Sequence, residues 1–134
     1  MELHLRVAGA LQIGLAILHL FFPKRFQWKE ELSRLSLLNR QVFLVHTVFI
    51  CFVLVMMGAL SLFASQTLVH RTLLSRLVLV GFASFWGLRL VFQWLVFDLR
   101  LWRGNSFNTF VHILFTVMWT YLTSVYGAAL LLQR

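Results

Sequence analysis

Residues 42–64 read VFLVHTVFICFVLVMMGALSLFA, a stretch without a single Asp, Glu, Lys or Arg. A helix rises ~1.5 Å per residue, and ~20 apolar residues cross a hydrocarbon core ~30 Å thick. The stretch therefore predicts a transmembrane helix. It lacks the alternating pattern of a membrane strand. Three further runs of similar character flank it, at residues 5–22, 77–97 and 107–132.

Composition points the same way. The chain is 60% hydrophobic and 12% charged, where a soluble domain carries ~25% charged residues. That excludes a soluble globular enzyme and also a disordered chain, which needs low hydrophobicity. One Cys and one Pro leave no disulfide framework and no zinc-finger spacing. The connections at 24–41, 65–76 and 98–106 are too short for a soluble domain. The expected fold is all-α, a single transmembrane domain over residues 1–134. It is expected to form a four-helix up-down antiparallel bundle. The run at 5–22 ends in a bulky HLFFPK segment with no Ala-x-Ala site, so it is expected to be a retained helix.

Within residues 26–38, Trp28, Leu32, Leu35 and Leu38 recur at helical spacing, while Lys29, Glu30, Ser33 and Arg34 fall off that stripe. This predicts an amphipathic helix lying in the interface. Small residues at Ala10/Gly14 and Ala83/Gly87 predict close helix contacts.

The net charge of +8 is explained without nucleic acid, because the basic residues lie mostly between the hydrophobic runs. The side holding both termini carries Arg6, Arg71, Arg76 and Arg134. The other side carries Lys24, Arg25, Lys29, Arg34, Arg40, Arg100 and Arg103. The positive-inside rule then places both termini outside the cytoplasm, in a multi-pass protein of a bacterial-type inner membrane. Trp28 and Trp102 flank the basic side as interfacial aromatics.

Polar residues inside hydrocarbon are costly and therefore informative. His19 lies near the end of the first run, His46 near the start of the second, Gln93 near the end of the third and His112 near the start of the fourth. At ~1.5 Å per residue all four fall about 5–8 Å below the basic-side boundary, with Arg89 roughly 12 Å down. Helical offsets group Gln12 with His19, Asn39 with His46, Trp86 with Arg89 and Gln93, and Asn108 with His112, Thr116, Trp119 and Thr123. Each run thus has one polar face, expected to turn inward.

Such a layer suits several ligands. His19, His46 and His112 are candidate ligands for haem b iron, copper or a non-haem iron, with Asn108 as an extra metal ligand. Arg89 would then pair with an anionic group such as a propionate. A quinone-like ligand would instead take hydrogen bonds from the histidines, Arg89 and Gln93. No inward carboxylate is expected, which argues against a carboxylate-bridged di-iron site. Catalytic templates fail: there is no Ser-His-Asp set, P-loop, HExxH or GxGxxG, and Cys51 is flanked by apolar residues. The expected function is a membrane-embedded binding protein for a redox cofactor, metal or quinone, in contact with lipid and with a membrane-protein partner or a second copy. The alternative is a ligand-free accessory subunit that packs against partner helices.

Overall fold

The structure, a computed structural model, describes residues 1–25, 27–97 and 104–134. Among them the regular structure is entirely helical: α1 (Glu2–His19), α2 (Phe22–Arg25), α3 (Trp28–Ser33), α4 (Leu37–Phe63), α5 (Ser65–Val69), α6 (Leu73–Leu95) and α7 (Ser106–Leu131). Three of these helices are long and apolar enough to cross a membrane. They are α4, α6 and α7, with mean hydropathies of 2.5, 1.5 and 1.4. Exposed Phe49, Phe52, Leu88 and Ile113 on these helices are what lipid chains would cover. The helix in the first expected run, α1, is not among the three. Glu2, His4, Arg6, Gln12 and His19 dilute its apolar content.

Local chemistry sets the helix ends. Ser36 caps α4, its hydroxyl accepting from the Asn39 N–H at 3.3 Å. At α6, Thr72 and Ser75 form a capping box, each backbone N–H donating to the other's hydroxyl at 3.1 Å. At α7, Asn105 Oδ1 accepts from the N–H groups of Phe107 and Asn108 at 3.0 and 3.2 Å. Such caps are each worth ~1 kcal/mol. They start α4 and α6 a turn or more before residues 42 and 77, where the apolar runs begin.

The interfacial segment differs from expectation. Only Trp28–Ser33 is helical there, Leu35 lies in the break after it, and Leu38 belongs to α4. Two serines account for the break. The Ser33 hydroxyl donates to the Glu30 carbonyl at 2.6 Å, competing with the helical ladder, and Ser36 is committed to capping α4. The expectations placed on Phe26, at the start of the interfacial segment, and on Arg100, Trp102 and Arg103 lie outside the described residues.

The chain divides into two compact units. In the unit formed by Arg6–Ala64, α1 and α4 approach closely at glycines. A Cβ on Gly9 would stand 2.6 Å from the Gly58 carbonyl oxygen, and one on Gly58 would stand 2.8 Å from the Gly9 oxygen. The small-residue positions expected to do this work lie elsewhere. A Cβ on Gly14 would meet open space, and one on Gly87 only an ordinary contact at 3.6 Å from Thr123 Cγ2. In α4 the buried residues are Leu54, Met57, Gly58 and Ser61, around the glycine crossing. Its first half buries nothing, so Asn39 and His46 are exposed.

The other unit comprises Met1–Leu5 and Ser65–Arg134. Here α6 packs along α7, and α5 packs against both. Leu79, Trp86, Trp119, Leu122 and Tyr126 are its buried centre. The C-terminal residues fold back on α5: Gln133 Nε2 donates to the Leu68 carbonyl at 3.0 Å and to Ser75 Oγ at 2.9 Å.

Candidate functional site

The densest polar arrangement lies between α6 and α7. Arg89 and Gln93 are one turn apart on α6, and Arg89 Nη1 donates to Gln93 Oε1 at 3.1 Å. The other end of the same amide reaches α7, where Gln93 Nε2 lies 2.7 Å from His112 Nδ1. Gln93 is 3% exposed and His112 9%, so the partners are held out of solvent.

The direction of this chain follows from donor and acceptor capacity. A guanidinium has only donors, so the amide oxygen must face it. The amide nitrogen then faces His112, and Nδ1 must accept. A neutral His112 therefore carries its proton on Nε2. Flipping the amide would set N–H against N–H at Arg89.

Aromatic rings surround the guanidinium. Arg89 Cζ lies 5.1 Å from the Trp119 ring centre and 5.5 Å from that of Phe97. Cation–π contacts of this kind contribute ~0.5–2 kcal/mol, more when desolvated. Trp119 also stacks with Trp86 at 4.9 Å and with Phe115 at 5.3 Å, and Trp94 meets His112 edge-on at 5.2 Å. Neither α6 nor α7 contains an Asp or Glu. Among the described residues, the buried indole N–H groups of Trp86 and Trp119 have no hydrogen-bond partner. The cluster is rich in donors and poor in acceptors.

His19 and His46 come together separately, within the Arg6–Ala64 unit. Both line a cavity of about 270 Å³ walled by Phe22, Trp28 and Phe43. Their Nδ1 atoms each lie 2.8 Å from the carbonyl one turn earlier, Leu15 for His19 and Val42 for His46. A carbonyl only accepts, so Nδ1 carries the proton and Nε2 holds the lone pair. The two rings are thus set oppositely to His112.

The structure joins Arg89, Gln93 and His112 within their own unit, and within the Arg6–Ala64 unit His19 and His46 line one cavity. Asn108 is half-buried on α7, one turn from His112. Among the described residues no group of three or more His, Cys, Asp or Glu could hold a metal ion. The Nδ1 of His112, one member of the expected metal set with His19, His46 and Asn108, faces the Gln93 amide. Sequence reasoning missed Phe97 as a face over Arg89, Trp94 against His112, and the aromatic walls around His19 and His46. Trp119 carried a signal, since it shares the α7 stripe with His112. The chain matches no known family model, no curated protein and no solved structure.

Proposed function

We propose that this is a membrane-embedded binding protein whose Arg89–Gln93–His112 cluster takes a quinone-like ligand. The observation that carries this reading is the donor surplus between α6 and α7: a guanidinium and two buried indole N–H groups on helices without a carboxylate. Quinone carbonyls are pure acceptors and match it. The Phe97 ring beside Arg89 suits a planar head group. A haem or metal held by His112 fits less well, because its Nδ1 lone pair is committed.

In the same reading α1 crosses as a fourth span of an up-down antiparallel bundle. The segment holding α3 then lies in the interface as an anchor, and both termini face away from the cytoplasm.

The test uses the full chain in lipid nanodiscs, titrated with a short-tailed ubiquinone or menaquinone analogue and followed by tryptophan fluorescence. Saturable quenching in the wild type and its loss in Arg89→Gln support the reading. Equal quenching in both defeats it. A second reading is a ligand-free accessory subunit. It draws on the first half of α4, where Phe43 and Phe49 are exposed and nothing is buried, a face suited to a partner helix or a second copy as well as to lipid.

A further inference from the structure

The groove at His19 and His46 is not used by the quinone reading, and its exposed lining is almost wholly carbon. Phe43, His46, Thr47 and Ile50 line it from α4, at the i, i+3, i+4, i+7 spacing of one helix face. His19 at the end of α1, Phe22 on α2 and Trp28 on α3 supply the other walls. The polar members bond to their own helices. The Thr47 hydroxyl donates to the Phe43 carbonyl at 2.9 Å, and Nδ1 of each histidine donates to the carbonyl one turn earlier. Ring contacts tie the walls together, His19 to Phe22 at 4.6 Å and Trp28 to Phe43 at 4.9 Å. The result is an open apolar slot. From Phe43 to Ile50 α4 rises about 10 Å, about two-thirds of one leaflet of a ~30 Å hydrocarbon core.

We infer that this groove seats one acyl chain of an anionic phospholipid, whose head group is held by Lys24, Arg25 and Lys29. Two observations select this occupant. The first is charge. Lys24 and Arg25 complete the short helix that Phe22 opens, and Lys29 follows Trp28 at the start of the next. All three are exposed. Residues 24–40 hold five Lys or Arg against two Glu, so the segment that walls the groove is cationic. Basic pockets between membrane helices bind acidic head groups, and Lys and Arg stems lie along apolar surface while their charged ends reach a phosphate. Trp28 is the kind of ring that sits at head-group level. The second observation is shape. The groove measures about 270 Å³. A 10 Å length of a helix ~10 Å across fills roughly 800 Å³, so the groove takes a single flexible chain rather than a helix of a second copy. A zwitterionic lipid fills the groove but leaves the cations unmatched. A soluble anion matches the cations but leaves the apolar walls open. An anionic phospholipid satisfies both.

The experiment releases the full chain from micelles holding equal amounts of phosphatidylglycerol and phosphatidylcholine, and counts the retained lipids by native mass spectrometry. The wild type is expected to keep one phosphatidylglycerol per chain in clear preference to phosphatidylcholine. The variant Lys24→Gln/Arg25→Gln/Lys29→Gln should lose that preference, by roughly fivefold per cation removed, the equivalent of ~1 kcal/mol for each Lys or Arg near an anionic surface. Thr47→Phe fills the groove and keeps the cations, and should lose the lipid whatever its head group. Glycerol phosphate, which has the charge without the chains, should not displace the lipid from the wild type. Circular dichroism of each variant checks that the helices persist. Equal retention of the two lipids by the wild type overturns the assignment. So does an unchanged preference in the triple variant, undiminished retention in Thr47→Phe, or displacement by glycerol phosphate. A lipid-free dimer also overturns it, since the groove then belongs to a second copy.

Discussion

Gln93 on α6 donates its side-chain amide to Nδ1 of His112 on α7 across 2.7 Å. That bond runs one way only, because the amide oxygen is taken by Arg89 at 3.1 Å. One glutamine thus joins a guanidinium to an imidazole and fixes the proton position on the ring.

Replacing this link has two distinct outcomes. Gln93→Leu strands Arg89 Nη1 and His112 Nδ1, and burying unmatched polar groups costs ~1–3 kcal/mol. A lowered thermal midpoint in detergent, measured beside wild type, is the expected result. Gln93→Glu keeps an acceptor for Arg89 but cannot donate, so His112 must move its proton to Nδ1. This variant is expected to fold normally with the opposite tautomer.

Arg89 is the most demanding position. Insertion scales put the cost of Arg at the centre of a membrane helix at ~2.5–3.5 kcal/mol. A snorkelling anchor tolerates Lys, since both stems reach the interface. A positioned fork between Gln93 and the Trp119 face does not. Arg89→Lys and Arg89→Gln are therefore both expected to insert and fold while losing quinone binding in nanodiscs. Wild-type binding by Arg89→Lys would reduce Arg89 to an anchor.

The glycine crossing makes a steric prediction. Gly9→Ala and Gly58→Ala force a methyl to within 2.6–2.8 Å of backbone oxygen. Overpacking of this sort typically costs ~1–3 kcal/mol. Gly14→Ala enters open space and gains helix propensity of roughly 0.5–1 kcal/mol. Unfolding of the three variants in mixed micelles should rank Gly14→Ala above wild type and the other two below it.

Topology is checked with single cysteines in a Cys51→Ser background. Thr67→Cys, in α5 between α4 and α6, should react with an impermeant maleimide from outside the cell. Ser106→Cys, at the start of α7, should react only from the cytoplasm. Labelling of Thr67→Cys solely from the cytoplasm inverts the orientation.

Hydropathy sufficed for the three long helices, because a run such as 42–64 has no competing pattern. It placed the starts of α4 and α6 late, since Ser36 and Thr72 cap those helices before the apolar residues begin. For α1, the interspersed Glu2, Arg6 and Gln12 leave this helix short of the apolar content of the other three. Depth counting put Gln93 and His112 at one level from opposite chain directions, and the two side chains do meet. It gave His19, His46 and His112 the same expected role, and only the hydrogen bond at Nδ1 distinguishes a ring that donates there from one that accepts. Helical offset grouped Asn39 with His46, and both are exposed in the structure, because a shared face says nothing about whether a neighbour covers it.

The most direct measurement is the nitrogen-15 spectrum of His112 in the wild-type protein in lipid, assigned by its disappearance in His112→Ala. The Arg89–Gln93–His112 chain predicts a neutral ring with a protonated Nε2 and a bare Nδ1. A ring protonated at Nδ1 would mean that Gln93 does not donate to it, contradicting the site on which the proposed function stands.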